Sequence, residues 1–356
     1  MAALLSNNHA LAERLHLIIP AGPGGGLDAT ARALGNALVA TDIESNVSYE
    51  NRSGGRGGKA MAYFVSSGDT LKNTLLVNSA PLIVRSLQGL FPHSYRDVTP
   101  IAALIADPGV IAVREDSKFQ SWRDVAGALR DGKERIFVAG GSVKGSLDHI
   151  TLSLLAQAEG MDPRRVRYLA YDGGAKAQLA LLSGEVDVMV SGLGETLAAH
   201  RAGTVRILGV TNDRDDMDGM ASFVEQGVDV VFYNWRGVFA PASTSAEKRA
   251  RLKDQMTAVT NTAAWQEQLS RYGWQPMFLS GDEFTAYLAE QETLLTDVMT
   301  RLGLIRRLAF DCSWLFCSAS ALRIWSWWLR SSWILGVPET RSTPVPCPRF
   351  MASCSA

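Results

Sequence analysis

Residues 15–38 read LHLIIPAGPGGGLDATARALGNAL: an apolar run, a loop rich in glycine, and an amphipathic helix. The apolar face of this helix is formed by Leu27, Ala31, Leu34 and Leu38, which recur at helical spacing. Asp28 stands where an N-cap residue is expected. Glycines let backbone N–H groups approach a ligand closely, and a helix start carries a partial positive charge. The segment therefore predicts an anion site, with a tight turn that binds nothing as the alternative.

Neither of the common nucleotide-binding motifs is complete. A P-loop requires G-x-x-x-x-G-K-[ST], and the nearest candidate, Gly58-Lys59-Ala60, has alanine where the hydroxyl should be. A dinucleotide fingerprint requires G-x-G-x-x-G, and Leu27 occupies the third glycine position. The glycine loop is therefore not expected to bind a nucleotide.

The length and charge of the chain restrict its class. With 356 residues, two domains are the natural expectation. The net charge is −1, but residues 306–356 carry six arginines and two acids, so residues 1–305 are mildly acidic. No basic run occurs in that main part, which argues against nucleic-acid binding. Any anion there must be held by local dipoles.

The composition changes abruptly near Arg306. All four cysteines and five of the nine tryptophans lie beyond it, and the last residues are rich in proline, serine and cysteine. Cysteine spacing without a nearby histidine does not predict a metal site, and arginines interrupt the apolar run well before membrane-spanning length. We interpret residues 306–356 as an atypical tail produced by a frameshift or read-through.

The amino terminus carries an ambiguous signal. Ala10-Leu11-Ala12 matches the A-x-A pattern of signal-peptidase sites, but the preceding residues are few and lack a basic region. The signal peptide is thus either truncated in this sequence or the match is due to chance.

Apolar runs, polar loops and helical patterns alternate along the rest of the chain. Residues 101–105, 110–113 and 205–210 are among the predicted strands, the last as a buried parallel strand. Residues 232–241 are predicted to be an extended crossing segment. The alternation indicates an α/β fold with mainly parallel sheets. In such sheets ligands bind at the carboxyl ends of the strands, where the loops rich in glycine and serine fall.

Five segments in chain order carry a resemblance to a known family: LHLIIPAGPGGGLDATAR, ENRSGGRGG, GGSVKGSLDHIT, YLAYDGGAKAQLALLSGEVDVMVSG and NWRGVFAP. Over residues 13–305 the chain resembles the periplasmic substrate-binding receptors of tripartite tricarboxylate transporters, the Bug-type receptors. Two of the segments are most similar to the tricarboxylate-binding branch.

The resemblance implies a two-lobed architecture of the periplasmic-binding-protein type, with a ligand cleft between the lobes. Lobe 1 would comprise residues 13–108 and 235–305, and lobe 2 residues 109–234. It also implies that the ligand carboxylate is held mostly by backbone amides, hydroxyls and ordered waters rather than by an arginine. Arg56 and Lys59 depart from the family pattern; they could contact a highly charged ligand, but we expect them to be solvated.

The loops at the strand ends supply the expected ligand-binding residues: Ala21, Gly24, Gly25, Gly26, Asp28, Asn78, Ser79, Gly141, Ser142, Ser146, His149, Tyr171, Gly173 and Ser191. Asp28 is expected to cap a helix, and would face an amino group if the ligand were an amino acid. Ser146 could cap the following helix, contact the ligand, or do both. Tyr171 could form a wall of the cleft.

The expected function is a non-enzymatic periplasmic receptor. It would bind a citrate-like di- or tricarboxylate, close about a hinge, and deliver the ligand to the membrane subunits of a tripartite tricarboxylate transporter. No cofactor or metal is expected. The alternatives are a hydrolase or transferase using Ser142 with His149, a nucleotide-binding oxidoreductase, and a sensor that signals without transport.

Overall fold

The computed structural model describes residues 14–213 and 219–305. The strands are β1 (Leu15–Ile19), β2 (Val47–Asn51), β3 (Thr74–Ser79), β4 (Val98–Arg114), β5 (Phe137–Gly140), β6 (Arg167–Ala170), β7 (Val188–Gly192), β8 (Val205–Val210), β9 (Tyr233–Pro241) and β10 (Gln275–Ser280). The helices are α1 (Gly26–Ala40), α2 (Gly58–Ser66), α3 (Pro81–Leu87), α4 (Trp122–Asp131), α5 (Leu147–Ala158), α6 (Gly174–Ser183), α7 (Leu193–Arg201), α8 (Ala246–Thr260), α9 (Ala263–Tyr272) and α10 (Asp282–Arg301). The predictions for residues 10–12 and for the tail 306–356 lie outside the described residues.

The strands form a mixed sheet in the order β2-β1-β3-β9-β4-β7-β5-β6, with β8 and β10 also paired to β4. β1 runs parallel to β2 and β3, and β5 runs parallel to β6 and β7. The predicted α/β class is confirmed, and the sheet is mixed rather than mainly parallel, since all four pairings of β4 and the pairing of β3 with β9 are antiparallel. The prediction of a parallel strand at Val205–Val210 is wrong, because β8 pairs antiparallel with β4. A strand that is apolar on both faces shows burial but not direction, so its residues could not settle this point.

β4 joins two groups of strands. Residues 101–105 and 110–113, predicted as separate strands, both lie within its 17 residues. Its first part pairs with β9, as far as Pro108 opposite Tyr233, and its second part begins to pair with β7 at Gly109 opposite Gly192. We call β1, β2, β3, β9, β10 and the first part of β4 the first strand group. The remaining strands, with the second part of β4, form the second strand group.

The predicted crossing segment at 232–241 corresponds to β9, which pairs with both β3 and β4. The change of strand group along β4 is consistent with the two lobes expected from the sequence. The exact lobe boundaries, residues 13–108 with 235–305 and residues 109–234, stay a prediction.

Both faces of the sheet are covered by helices. In β1, Leu17 packs on one face with Leu34 and Trp265, whereas Ile18 packs on the other with Phe64. This alternation explains why the strand is apolar at nearly every position. The second strand group is covered in the same way by two further apolar clusters. Within the described ranges, no helix combines the length and the apolar character needed to cross a bilayer.

The loops that follow β5 and β6 pack directly against each other. The N–H of Gly173 donates to the carbonyl of Gly141 at 2.9 Å. A Cβ atom at Gly141 would lie 2.5 Å from the backbone nitrogen of Gly174. Because that neighbour is main chain at the start of α6, it cannot move aside cheaply. Gly141 is therefore required by the close approach of the two loops.

We expect Gly141→Ala to lower the free energy of unfolding by about 2 kcal/mol, because the methyl group overpacks this contact. Gly127→Ala is the matched control: Gly127 lies within α4 with open space around its Cβ position. Since alanine favours a helix over glycine, this variant should gain up to about 1 kcal/mol. Urea denaturation of both proteins tests the pair, and equal stability of the two variants would contradict the packing argument.

Candidate functional site

The carboxylate of Glu195, in the first turn of α7, lies between the two strand groups. Its Oε1 atom accepts a hydrogen bond from the N–H of Gly26 at 2.9 Å, although the two residues are 169 positions apart. Its Oε2 atom accepts a hydrogen bond from the Ser191 hydroxyl at 3.0 Å. A Cβ atom at Gly174 would lie 2.5 Å from the same oxygen. A carboxylate therefore lies at the start of α1 and beside the start of α6, where helix dipoles favour an anion.

Asp28 has a different role from the one predicted. Gly25 is the N-cap residue of α1, and Asp28 lies inside the helix at its third position. Its carboxylate accepts hydrogen bonds from the N–H of Gly24 (3.0 Å), from Arg32 (2.9 Å) and from Asn51 (2.9 Å). Burial raises the pKa of Asp28, but these hydrogen bonds outweigh it and the pKa is lowered. Asp28 therefore orders the glycine loop from behind rather than capping the helix.

The same side chains hold the start of the loop. Asn51, at the end of β2, also donates to the carbonyl of Ala21 at 3.1 Å. Gly24 adopts a positive φ of 83°, which residues with a side chain rarely tolerate. The loop from Ala21 to Gly26 is thus fixed by β2 and α1, with the Gly26 N–H directed at Glu195.

The loop after β5 carries a chain of hydroxyl and carboxyl groups. The Ser142 hydroxyl lies 2.6 Å from that of Ser146 and 2.7 Å from the carboxylate of Asp148. Tyr168, in β6, donates its hydroxyl to the Ser142 carbonyl. Ser146 occupies the N-cap position of α5, as one alternative predicted, but its side chain makes no capping hydrogen bond. Its hydroxyl is engaged with Ser142 instead.

The carboxyl group of Asp148 has a strongly raised pKa. Burial raises its pKa to about 7; the Ser142 hydroxyl and the Gly141 N–H lower it, whereas the negative charges of Glu195 and Asp107 raise it further. Asp148 therefore binds a proton near neutral pH, which reduces the number of negative charges around Glu195.

His149 does not pair with Ser142. Its Nδ1 atom accepts a hydrogen bond from the N–H of Gly145 at 3.2 Å, and its ring packs edge-on against Tyr168. Burial, aided by the charge of Lys144, lowers the pKa of His149 to about 4, so the ring is neutral at pH 7. Ser142 bonds to Asp148 and Ser146, so the serine–histidine arrangement that a hydrolase needs is not formed.

The other predicted residues lie at strand ends but are not all brought together. Asn78 and Ser79 end β3 and are buried, with the Asn78 side chain accepting from the Ser79 N–H. Tyr171 donates its hydroxyl to Glu185, beyond the far end of α6, at 2.8 Å. Gly173 is the N-cap residue of α6. Of this set, Ser191 is the one that contacts Glu195 directly.

A buried ion pair lies beneath the Glu195 carboxylate. Arg236, in β9, donates to Asp107 in β4 at 2.5 Å, and the two side chains are 3% and 0% exposed. Arg236 also donates to the carbonyl of Gly26 and to the hydroxyl of Thr30, both at 3.1 Å. Asp107 accepts a further bond from the Gly194 N–H at 3.0 Å. The pair thus connects the start of α1 to the start of α7.

Arg236, Asp107, Asp148 and Glu195 were not identified from the sequence. Arg236 fell within a segment that carried the family resemblance, but no spacing relates it to Asp107. Glu195 is a single acid on an ordinary helix. An acid in the first turn of a helix is a weak signal, and only the fold brings Glu195 to Gly26.

The two cations of the second glycine-rich loop lie where the sequence analysis expects them. Arg56 and Lys59 are exposed, as expected. In the part of the chain that the structure describes, no group of three histidine, cysteine or acidic residues is arranged to hold a metal ion.

A cavity of about 630 Å³, lined in part by Arg130, Arg165 and Arg167, lies at the amino ends of β5 and β6. It faces away from the loops at the carboxyl ends, where ligands bind in such sheets.

Comparison with known proteins identifies similar chains. The model of the tripartite tricarboxylate transporter receptor family matches residues 39–304. The protein BugT of Bordetella pertussis is 25% identical over 85% of this chain and 93% of its own. The structure of Rpa4515 of R. palustris with adipate has a TM-score of 0.73 at 21% identity, covering 82% of this chain and 97% of that one. MatC of Rhodopseudomonas palustris with bound malate has a TM-score of 0.67 at 20% identity, covering 80% and 98%.

We expect Arg236→Met to lower the free energy of unfolding by about 3–5 kcal/mol, because it leaves the Asp107 carboxylate buried without its partner. Arg164→Met, which breaks an exposed ion pair with Asp162, is the control and should leave the free energy of unfolding nearly unchanged. Adding Asp107→Asn to Arg236→Met should restore part of the lost stability in urea denaturation. If the losses of stability caused by Arg236→Met and by Asp107→Asn alone simply add in the double variant, this interpretation is contradicted.

The raised pKa of Asp148 predicts a pH-dependent stability. The folded pKa of about 7 lies above the ordinary value of 3.8, so the folded protein binds this proton more tightly than the unfolded chain. The protonated carboxyl of Asp148 contributes to the free energy of unfolding. This contribution is fully present below about pH 4 and is lost as the pH rises to about 7. Asp148→Asn should therefore gain stability relative to the wild type over this range.

Asp124→Asn is a control of opposite sign. The backbone N–H of Gln120 and the Ser121 hydroxyl lower the pKa of Asp124, so its contribution is lost as the pH falls. Since the pKa of Asp124 lies below the ordinary value of 3.8, this loss falls below about pH 4, and Asp124→Asn should differ from the wild type by a constant amount between pH 4 and pH 7. Denaturation midpoints of both variants from about pH 3 to pH 7 test the assignment. A difference between Asp148→Asn and the wild type that does not change with pH would contradict it.

Proposed function

The chain belongs to the tripartite tricarboxylate transporter receptor family, and we propose that it is a non-catalytic periplasmic receptor for a small carboxylate. The proposed ligand is a di- or tricarboxylate, with citrate as the first candidate. The receptor would close on this ligand and present it to the membrane subunits of a tripartite transporter. The bound malate and adipate of two structural neighbours support a ligand of this chemical class.

The observation that carries the proposal is the carboxylate of Glu195 at the start of α1. Gly26 donates its N–H to this carboxylate, and the side-chain-free surface of Gly174 lets it approach α6. A carboxylate at this position is therefore held by a backbone N–H, a serine hydroxyl and helix dipoles, and not by an arginine side chain. We propose that the Glu195 carboxylate occupies the position that a carboxylate of the ligand takes.

Binding would replace one carboxylate by another. When Glu195 leaves Gly26, the N–H of Gly26 and the hydroxyl of Ser191 become available to the ligand. These donors come from the first and second strand groups, so a ligand that bonds to both favours the form in which the groups are close. A ligand shifts the open–closed equilibrium only by this difference in affinity.

The same geometry makes Glu195 a competitor of the ligand. Its negative charge would also repel an incoming anion at short range. Both effects weaken binding to the wild type, and both disappear when the side chain is removed. Affinity should therefore increase, not decrease, when this acid is lost.

We expect calorimetric titration to detect binding of citrate, malate or adipate to the wild type, and Glu195→Ala to bind the same compound about tenfold more tightly. Glu134→Ala removes an exposed acid that pairs with Lys118 and should leave the affinity unchanged. If neither the folded wild type nor Glu195→Ala binds any of the three compounds, the proposed function is wrong.

A further inference from the structure

Arg85 is a buried cation with little to compensate it. It lies in α3, directly after β3, and is 4% exposed. Its Nη1 atom donates to the side-chain oxygen of Gln88 at 2.9 Å, and its Nε atom is buried without a hydrogen-bond partner. Gln88 is neutral. Across residues 14–213 and 219–305, no carboxylate forms an ion pair with Arg85.

The charge that shifts the pKa of Arg85 has the same sign. Burial, and then the positive charge of Arg56, lower the pKa of Arg85 to about 10. Arg85 is therefore still protonated at pH 7, unlike a buried acid such as Asp148, which can remove its own charge by binding a proton. A buried charge without a partner is costly, so a protein rarely keeps one that has no use.

The position of Arg85 places it at the ligand side of the sheet. α3 begins two residues after the carboxyl end of β3. Gln88, the hydrogen-bond partner of Arg85, lies against the loop after β5: a Cβ atom at Gly145 would be 2.6 Å from its side-chain nitrogen. Arg56 belongs to the glycine-rich loop after β2, where Gly57 lies against Pro20 at the end of β1. Arg85 thus lies among loops of both strand groups.

We propose that Arg85, with Arg56 beside it, binds a second anionic group of the ligand. This inference rests on the proposed carboxylate receptor and assigns the residue that would hold the second negative group of its ligand. One carboxylate would replace Glu195 at the start of α1, and the other would supply the missing partner of the Arg85 guanidinium. A guanidinium bonds to a carboxylate through two parallel N–H groups, which fits its unpaired Nε.

Three variants test the role of Arg85. Arg85→Met removes the charge and keeps an unbranched aliphatic side chain, and Arg85→Lys keeps the charge. Arg123→Met is the matched control, because Arg123 is an exposed arginine on α4. Citrate, malate and adipate are titrated by calorimetry, with hexanoate as the monocarboxylate of the same chain length as adipate.

The expected result is that Arg85→Met weakens binding of the dicarboxylate or tricarboxylate by about tenfold to a hundredfold. Arg85→Lys should recover part of the affinity, and Arg123→Met should bind like the wild type. Hexanoate should bind the wild type and Arg85→Met equally. Wild-type affinity in Arg85→Met would overturn the inference and leave the proposed function intact.

A second measurement does not depend on the carboxylate ligand. Sulfate, at ionic strength matched with sodium chloride, should raise the unfolding temperature of the wild type more than that of Arg85→Met. Should the wild type bind none of the carboxylates, the proposed function fails, and this comparison still decides whether Arg85 is an anion site. Equal shifts in the two proteins would overturn the inference.

The unliganded variant separates binding from a structural role. Because the uncompensated charge opposes folding, Arg85→Met without added anion should unfold at the wild-type temperature or above it. A clear decrease, restored by Arg85→Lys, would mean that the bond to Gln88 stabilises the fold, and would overturn the inference.

Discussion

The ion pair between Arg236 of β9 and Asp107 of β4 lies close to the point where β4 passes from the first strand group to the second. The geometry of the site depends on this pair. Arg236 holds the first turn of α1 through the carbonyl of Gly26 and the hydroxyl of Thr30. Asp107 holds the start of α7 through the N–H of Gly194. The next residue in the chain, Glu195, then reaches the N–H of Gly26. One buried contact therefore sets the distance between the starts of α1 and α7, and with it the position of the Glu195 carboxylate.

The distribution of charge around these helix starts is uneven. Asp107 is compensated by Arg236, and Asp148 reduces its charge by binding a proton near neutral pH. Within the part of the chain that the structure describes, Glu195 has backbone and hydroxyl donors but forms no ion pair with a cation, whereas Arg85 is a buried cation that forms no ion pair with an acid. An acid that can be replaced and a cation that lacks a partner are both accounted for by one ligand with two negative groups. This common explanation is what connects the two proposals.

Much of the fold could be predicted from residue patterns. The run Leu15–Ile19, the glycine loop and the helix after it form β1, the loop and α1, and the predicted crossing segment is β9. β8 was assigned the wrong direction because its residues report burial alone. The short helix α9 and the strand β10 were not predicted; β10 alternates between partly buried and exposed residues at the antiparallel edge of β4.

The candidate site was less predictable than the fold. The glycine and serine loops could be placed at strand ends, because α/β architecture dictates where such loops lie. The contacts of Glu195, Asp107 and Arg236 join residues that are far apart in the chain, and no local spacing reports them. Arg85 stands within an apolar helix, where a sequence shows the charge but not the absence of a partner.

The exchange of carboxylates at Gly26 can be observed in a crystal structure of the protein with a bound di- or tricarboxylate. We expect a ligand oxygen within hydrogen-bond distance of the Gly26 nitrogen, with the Glu195 carboxylate moved away from it. A ligand bound elsewhere, with Glu195 still accepting the hydrogen bond from Gly26, would contradict this exchange.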